Sequence, residues 1–458
     1  MFEEIAIIGQ SCLFPGCNNI EQFINTVKDG LVTISSPPEG YWRVGLEDIT
    51  GEEKNNPAFS FTDKGGYIRD FANIFNVEEY ELDKNTLLQL DVLFKWSLHT
   101  AREALKNSGY LNNRSVLKRA GIVLGNSTTS NSSLTKLSEE IYLNISPAVH
   151  PYNRFTGGLP AGIIKKAFSI GGNAFAIDTA CASSLYAVKL ACDLLQKEET
   201  DLMLAGAVCA IDPFCTHLNF NALHALSSCG LSRPFNVNSD GIIPSEGAAF
   251  VVLKRLKDAL RDGNNISGVI RSIGLSNDGR TGGFLSPSVM GQISSMESAY
   301  RISGVDPGEI SYVECHATGT KIGDLTEIQS MLKVFPDKRE IPIGSIKANL
   351  GHLFAVSGMA SLIKILGMFK DEFIPLTPNA HPILPAIRDS HFRVPEMNEL
   401  WDGRKGRRIA GVSNFGFGGS NAHLILEEWK KRDIKIHPLQ TLPVKIAVTG
   451  MSVITHST

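Results

Sequence analysis

The sequence predicts an α/β protein whose core is built from two similar halves. Short apolar runs rich in β-branched or small residues, which are typical of buried strands, alternate along the chain with longer segments of helical period. Two segments, 175–195 and 343–366, share one design: a short apolar strand, a tight turn, and a helix packed with Ala, Ser and Gly. Such alternation favours layers of helices against sheet, and the shared design indicates a duplicated unit.

The first half opens with a buried strand. The run IAIIG begins at Ile5 and ends at Gly9, and it has no helical period. A helix is predicted over residues 20–29. From residue 35 to residue 71, prolines, glycines and charges interrupt any period, which predicts an excursion over the surface.

The middle of the first half is predicted to contain one long helix and one strand. The helix covers residues 84–108, and the strand covers residues 120–127. Residues 126–150 begin with many Ser, Thr and Asn and have little apolar period. We therefore expect a long loop there, able to cover a site.

The remaining elements alternate in the same way. Further strands are predicted at 201–211, 247–256, 268–277, 310–319 and 423–429. Helices are predicted near 289–302 and 322–335.

The two helices rich in small residues are expected to be buried. Ala, Ser and Gly on nearly every face allow close backbone approach, which a solvent-facing helix would not need. The turn before each helix presents one reactive side chain, Cys181 in the first half and His352 in the second. We expect the two turns to face each other.

Composition excludes several classes of protein. The 458 residues are 43% apolar and 20% charged, which is typical of a folded protein with roughly two to four domain-sized units. The net charge is −3. This balance gives no electrostatic reason to expect nucleic acid or an anionic membrane as a partner.

Cysteine usage and the amino terminus predict a cytoplasmic protein. The eight cysteines form no CxxC pair, which indicates reduced thiols without a disulfide framework or a metal site. The first residues lack the basic start and the apolar segment of a signal peptide, and no run of about 18 uncharged apolar residues follows.

The end of the chain resembles its start. Residues 444–458 read VKIAVTGMSVITHST, a strand-like run followed by glycine, as in the opening EEIAIIGQ. We predict a first domain over residues 1–430, a linker over 431–443, and the start of a truncated second copy of the fold over 444–458. The alternative is a carboxy-terminal strand or tail.

A cysteine and two histidines carry the chemistry. Cys181 lies in the turn DTACASS at the start of a helix, where unpaired N–H groups and the helix dipole favour a thiolate. His316 and His352 both follow strand-like runs. Two histidines can donate N–H groups to a thioester carbonyl and stabilise the enolate formed when carbon dioxide leaves. A cysteine protease would need one histidine, and a degradative thiolase would need a second cysteine.

The glycine-rich segment VSNFGFGGSNAHLILEE is the third element. It lacks the lysine and the spacing of a nucleotide-binding loop. The glycines let backbone N–H groups approach a reacting carbonyl, while Phe415 and Phe417 shield the site from water.

Four motifs in order resemble the β-ketoacyl synthase (ketosynthase) family. They are DTACASSL, VECHATGT, SIKANLGHLFAVSG and NFGFGGSNAHLILEE, and the likeness extends from Ile5 to about Glu428. The sequence is most similar to ketosynthase domains of polyketide synthases and of polyunsaturated fatty acid synthase-like megasynthases.

The resemblance implies a thiolase-like αβαβα fold, a homodimer, and an acyltransferase that performs decarboxylative Claisen condensation. An acyl carrier protein would deliver acyl and malonyl thioesters on its phosphopantetheine arm, and the domain would bind no cofactor of its own. Cys181 would accept the acyl group. His316 and His352 would hold the extender carbonyl and promote decarboxylation.

The resemblance also assigns supporting roles. Lys347 would anchor the histidines through hydrogen bonds, and Thr318 and Thr320 would contact the phosphopantetheine arm. The backbone N–H groups of Cys181 and Phe417 would form the oxyanion hole, and Phe417 also matches a gating position.

The chain departs from the family pattern at a few positions. Ala317 replaces a glycine beside His316, and we expect this change to be tolerated. Cys315 and Phe354 are uncommon choices, and Phe354 is expected to narrow or reshape the pocket. The second start near residue 444 is similar to the pairs of ketosynthase and chain-length factor found in polyunsaturated fatty acid synthases.

Two other functions remain open from the sequence. One is an acyl-binding partner that does not condense, although such partners usually lack the cysteine. The other is an acyltransferase that loads Cys181 without extension.

Overall fold

A computed structural model of the chain describes residues 2–42, 45–50, 59–127, 131–145, 149–210, 212–280, 283, 286–336, 339–403, 406–430 and 446–453. The strands are β1 (Ile5–Leu13), β2 (Ala120–Asn126), β3 (Ala174–Ile177), β4 (Leu202–Cys209), β5 (Gly247–Arg255), β6 (Gly268–Asn277), β7 (Tyr312–Glu314), β8 (Ile341–Gly344), β9 (Phe373–Ile374), β10 (Phe392–Arg393), β11 (Glu399–Leu400), β12 (Ile409–Gly416) and β13 (Ser420–Glu427).

The helices alternate with these strands. They are α1 (Ile20–Lys28), α2 (Leu46–Ile49), α3 (Lys84–Gln89), α4 (Val92–Asn107), α5 (Arg114–Leu117), α6 (Ser132–Tyr142), α7 (Leu159–Ala167), α8 (Ser183–Gln196), α9 (Pro213–Ala222), α10 (Leu256–Arg261), α11 (Val289–Ser303), α12 (Lys321–Val334), α13 (Lys347–Leu350), α14 (Ser357–Asp371) and α15 (Pro385–Arg388).

Strand order confirms the two similar halves. In the first half the order is β3-β2-β4-β5-β1, and in the second it is β8-β7-β12-β13-β6, with the short strand β10 added beyond β8. Numbered within each half, both run third, second, fourth, fifth, first, with the same parallel and antiparallel pairings. The halves join where β1 pairs antiparallel with β6 over three residue pairs that begin at Ile5 and Ile270.

Helices cover the sheet in layers. The central layer holds α8 and α14, whose small and apolar residues share one core cluster with inward-facing residues of both halves. Helices α4 and α7 cover the outer face of the first half, and α11 and α12 cover that of the second. This arrangement is the five-layered, thiolase-like α/β fold.

The layering places the reactive turns opposite each other. Cys181 follows β3 and His352 follows β8, the third strand of each half. Both turns lead into the central helix layer, α8 and α14, as the small residues predicted. His316 follows β7, the neighbour of β8.

The predicted loop at 126–150 is wrong in its centre, because α6 occupies Ser132–Tyr142. The Asn131 side chain caps this helix by accepting from the Leu134 N–H. Leu134, Leu137 and Ile141 recur at helical spacing along α6, but the many Ser, Thr and Asn residues around them favoured a loop.

The predicted single helix at 84–108 is two helices. Leu90 is extended, and the side chain of Asp91 accepts from the Leu93 N–H to begin α4. The apolar residues before and after Leu90 follow the same helical period, so the sequence pattern did not reveal the break between α3 and α4.

The predicted linker over 431–443 lies outside the described residues. Residues 446–453 form no regular element in the described structure, and the second copy predicted for 444–458 stays a prediction. Among the described residues, no helix has the length and apolar character needed to cross a membrane.

A buried ion pair ties the second half to the central layer. The carboxylate of Glu314, at the end of β7, accepts from Lys364 Nζ of α14 at 2.7 Å and from the Tyr312 hydroxyl at 2.7 Å. Its other oxygen accepts from the Ile346 N–H at 2.6 Å, directly before Lys347. This carboxylate therefore holds the strand that leads to His316 against the turn that carries Lys347.

We predict that Lys364→Met lowers the free energy of unfolding by roughly 3–5 kcal/mol, because it leaves the Glu314 carboxylate buried and unpaired. Lys28 is the control, since its pair with Asp371 is partly exposed. Lys28→Met should cost less than about 1 kcal/mol. Urea unfolding of both variants tests this, and equal losses would contradict it.

Candidate active site

Cys181 lies in a strained turn between β3 and α8. The turn is a short 3-10 segment, Ala180–Ala182, and Ala180 has a positive φ of 51°. The Ser183 hydroxyl braces it by accepting from the Thr179 N–H at 2.9 Å and donating to the Ala180 carbonyl at 2.7 Å. Asn414 Nδ2 donates to the Cys181 carbonyl at 3.1 Å. The nucleophile's backbone is therefore fixed from two sides.

His352 is the closest polar neighbour of the thiol. Its Nε2 lies 3.1 Å from Cys181 Sγ, and its Nδ1 lies 3.0 Å from the Ser357 hydroxyl. The His352 N–H donates to the Ile243 carbonyl at 2.7 Å, and its carbonyl accepts from the Ser245 N–H at 3.0 Å. Because a hydroxyl both donates and accepts, Ser357 supports either tautomer of the imidazole.

His316 completes the set. Its ring centroid lies 5.6 Å from that of His352 and 5.7 Å from that of Phe415. The reactive atoms of Cys181, His316 and His352 all lie within 4.8 Å of one another. The structure therefore brings together the three residues that the sequence predicts as catalytic.

Glu327 of α12 holds His316 through the backbone. Its two carboxylate oxygens accept from the N–H groups of His316 and Ala317, at 2.8 and 2.7 Å. Burial raises the pKa of Glu327 to about 7, while these two donors lower it. Glu327 could not be predicted from the sequence, because a single glutamate on a helix has no distinguishing pattern.

Lys347 acts on the site by charge. It is buried, and neither its Nζ nor His316 Nδ1 has a hydrogen-bond partner within the described part of the chain. Among the described residues no hydrogen bond joins Lys347 to either histidine, and the anchoring through hydrogen bonds stays a prediction. Buried polar groups left open in this way are commonly bridged by ordered water.

Burial sets the protonation states. It raises the pKa of the Cys181 thiol to about 11, although the Lys347 charge and the N–H groups of Phe417 and Cys181 lower it. Burial and the Lys347 charge lower the pKa of His352 well below its usual value, and they lower that of His316 likewise. Burial thus opposes the thiolate that the start of α8 favours, and it favours a protonated thiol beside two neutral histidines.

The backbone donors predicted for an oxyanion face the sulfur. The N–H groups of Phe417 and Cys181 both lie within hydrogen-bonding reach of Sγ. Phe417 belongs to the β12–β13 turn, where Gly418 and Gly419 have φ values of 89° and 84°, which only glycine adopts without strain. Gly416 also packs so tightly that a Cβ there would lie 2.4 Å from the Thr179 carbonyl.

A cavity of about 550 Å³ leads to Cys181. Thr318 and Thr320 line it, with their hydroxyl oxygens 3.1 Å apart. Phe417 lines it too and is 43% exposed, as a residue at an opening would be. The structure thus places all the predicted binding residues on one cavity.

The departures from the family pattern occupy different places. Ala317 lines the cavity and its N–H donates to Glu327, so the added methyl does not disturb that bond. Cys315 is buried behind the site against Met331. Phe354 is buried behind Phe220, a cavity residue of α9 that the sequence analysis missed.

We predict that alkylation of Cys181 by iodoacetamide accelerates with pH up to at least about pH 9, because the pKa is near 11. Lys347→Met should slow it about tenfold at pH 8, since one pKa unit changes the thiolate fraction tenfold. Peptide mapping by mass spectrometry measures the rate, with exposed Cys229 as the internal reference. A rate that levels off below pH 8 would show a resting thiolate instead.

Comparisons with known proteins identify the family. The protein-family model of the β-ketoacyl synthase N-terminal domain matches residues 2–259, and the family model of the C-terminal domain matches residues 267–381. The family model of the ketoacyl-synthetase C-terminal extension matches residues 378–454.

Relatives are parts of larger assemblies. The chain is 30% identical to a polyunsaturated fatty acid synthase protein of Thraustochytrium sp., over 99% of this chain and 17% of that protein. It is 33% identical to a phenolphthiocerol/phthiocerol polyketide synthase protein of Mycobacterium tuberculosis, over 93% of this chain and 27% of that protein. The chain thus spans well under a third of either relative.

Solved structures agree. The PfaC keto synthase-chain length factor superposes with a TM-score of 0.89 at 35% identity, covering 95% of this chain and 49% of that one. The ketosynthase from module 6 of the bacillaene synthase of Bacillus subtilis 168 gives 0.81 at 29% identity, covering 94% and 73%. With its two family domains, its five-layered fold and its cysteine and two histidines on one cavity, this chain belongs to the β-ketoacyl synthase family of acyl-transferring condensing enzymes.

Proposed function

We propose that this chain condenses an acyl group held on Cys181 with a malonyl-type thioester carried by an acyl carrier protein. The observation that carries this proposal is the joint approach of His352 Nε2 and His316 to the Cys181 sulfur, within 4.8 Å, at the end of a cavity. Condensation needs both a nucleophile and two donors for an enolate, and this set supplies all three.

In the first half-reaction, Cys181 takes the acyl group. Its sulfur attacks the carrier thioester, a new thioester bond forms, and the bond to the carrier sulfur breaks. The thiol proton passes through His352, whose Nε2 lies 3.1 Å from Sγ, and ends on the departing carrier thiol. A neutral His352 is needed for this step, which its lowered pKa supports.

In the second half-reaction, the malonyl group loses carbon dioxide. The electron pair of the breaking C–C bond becomes an enolate, whose oxygen accepts hydrogen bonds from His316 and His352. Lys347 adds a positive charge beside both rings, as its effect on their pKa values indicates. The enolate is thus formed in a water-poor site next to its target.

Carbon–carbon bond formation completes the cycle. The enolate carbon attacks the acyl carbonyl on Cys181, and the oxyanion accepts from the N–H groups of Cys181 and Phe417. The Cys181 sulfur then leaves as a thiolate and takes a proton from solvent water through His352, and a β-keto product two carbons longer remains on the carrier.

The carrier's phosphopantetheine arm would enter along Thr318 and Thr320. Both residues line the cavity, and their hydroxyls can donate to the amide carbonyls of such an arm. We propose that the domain itself binds no cofactor. Cysteine and histidine can also ligate zinc, but we assign these three residues to covalent chemistry and to no metal.

The outer strand β3 supports a dimer with a second copy of this chain. In the strand order β3 lies at an edge of the sheet, so one row of its backbone groups is open to a partner strand. Phe175 of β3 is an exposed apolar residue on this strand.

We expect Phe175→Asp to shift the chain from dimer to monomer in light scattering, because it places a charge on the pairing edge. Lys197→Asp, on an exposed turn after α8, is the control and should leave the mass unchanged. A monomeric wild type, or a variant that stays dimeric, would contradict this interface.

We also propose that residues 444–458 begin a second ketosynthase-like unit and that the chain works in the cytoplasm. The match to about half of a keto synthase-chain length factor chain supports the first statement. The eight cysteines, none of which forms a disulfide in the described part of the chain, support the second.

We predict that single substitutions separate the half-reactions. Cys181→Ala should abolish the acyl adduct and condensation, because it removes the nucleophile. His316→Ala should retain the adduct but lose about 10²–10³-fold in decarboxylation, because it removes one oxyanion donor. His352→Ala should slow both steps.

Release of labelled carbon dioxide and the mass of the acylated protein measure the two steps, with and without a metal chelator. His150→Ala is the control, since this ring contacts Tyr152 outside the cavity. Condensation by Cys181→Ala would overturn the proposal, as would full decarboxylation by both histidine variants or a loss of activity with the chelator.

A further inference from the structure

Phe354 is held in an unfavourable backbone conformation directly after the site. It begins the 3-10 turn Phe354–Val356, two residues beyond His352, and its φ is 46°. A side chain other than glycine in the left-handed region costs about 1–2 kcal/mol. The surrounding structure must therefore offset this cost through the contacts of the ring.

The Phe354 ring lies between His352 and Phe220. Its centroid is 4.9 Å from the imidazole at an interplanar angle of 31°, and 5.1 Å from the Phe220 ring at 36°. Phe220 in turn lies 5.9 Å from Phe417 at 31°. Four rings thus form a continuous row from the histidine beside the thiol to the aromatic residue at the cavity opening.

This row of rings contacts one face of the His352 imidazole, which the hydrogen bonds of His352 leave uncovered. Cys181 Sγ and the Ser357 hydroxyl fix the imidazole at its two nitrogens, which lie along the ring edge. Neither contact covers a face of the imidazole, and only these two contacts resist rotation of the ring about its Cβ–Cγ bond. The Phe354 ring covers one face, and only 8% of Phe354 is exposed, so it blocks that rotation and keeps water from the face.

We propose that Phe354 is a positioning residue for this condensing enzyme, which sets the plane of the His352 ring and shields it by stacking. The inference rests on the proposed function. Phe354 does not line the cavity, so it acts through His352 and Phe220 and does not touch substrate. The strained φ is the cost of bringing an aromatic ring to this place.

The cover of the Phe354 ring over one face of His352 affects proton transfer. Burial keeps the pKa of His352 well below its usual value, so the ring is neutral and can accept the thiol proton across the neutral range. Opening one face to water favours the charged form and raises this pKa toward the ordinary value near 6.5. A raised pKa means that more of the ring is already protonated at low pH, and acyl transfer to Cys181 then slows there.

The test compares Phe354→Leu with Phe354→Tyr. Both variants keep a Cβ and hence the same backbone strain, but only Tyr keeps a ring over His352. We expect Phe354→Leu to lose roughly tenfold to a hundredfold in condensation at pH 7.5, as a misplaced catalytic group does. Phe354→Tyr should stay within about threefold of wild type, since the aromatic face is retained.

The pH profile separates positioning from simple stability. The ratio of the acylation rates of Phe354→Leu and wild type, followed by intact mass, should fall below about pH 6.5 as His352 gains a proton. For Phe354→Tyr this ratio should stay constant. Phe335→Leu is the matched control, because this buried ring packs edge-to-face on Phe392 at 6.0 Å, does not line the cavity, and should shift no pH profile.

Two outcomes would overturn the inference. One is a Phe354→Leu enzyme with the wild-type rate and pH profile. The other is an equal loss in the Leu and Tyr variants, which would show that only the fit of phenylalanine matters. Absence of acylation in the wild-type chain would instead contradict the proposed function, so the two failures are distinguishable.

Discussion

The chemistry of this chain depends on one contact between its halves, the 3.1 Å approach of Cys181 Sγ to His352 Nε2. Each atom lies just beyond the third strand of its own half, β3 or β8. Neither half could supply both. The contact forms because α8 and α14 share a central layer whose small residues let the two turns approach closely. The duplicated fold is therefore the means by which a nucleophile and a proton acceptor meet.

Desolvation decides how this contact works. In water a thiol next to an ammonium and a helix start would ionise readily, but burial here keeps Cys181 protonated and His352 neutral. The Lys347 charge lowers the pKa values of Cys181, His316 and His352, and its ammonium has no hydrogen-bond partner among the described residues. The Lys347 ammonium can therefore stabilise the negative charge that develops on the Cys181 sulfur during acyl transfer and on the enolate during decarboxylation. A site of this kind is inert until a thioester arrives.

Much of this could be predicted from the sequence, for identifiable reasons. Apolar period and small-residue helices predicted the two halves, because buried layers demand those residues wherever they occur. Cys181, His316 and His352 could be predicted because polar groups at strand ends within apolar surroundings require a function or a partner. The helix α6 was missed because the Ser, Thr and Asn residues before and within it favoured a loop over its short apolar period.

Other features depend on three-dimensional placement. Glu327 reaches the His316 backbone across a loop, and Phe220 reaches the cavity from α9, so neither leaves a local pattern. The stacking of Phe354 on His352 and the raised pKa of Cys181 depend on burial in the folded chain, which no local sequence pattern reveals.

The most direct test of the account is intact-mass spectrometry of the wild-type chain, first with an acyl thioester and then with a malonyl-loaded carrier protein. The account predicts one acyl adduct, mapped to Cys181, that disappears on addition of malonyl carrier as a β-keto product two carbons longer appears on the carrier. An adduct that persists would contradict condensation and indicate an acyltransferase, and a chain that forms no adduct would be a non-condensing partner.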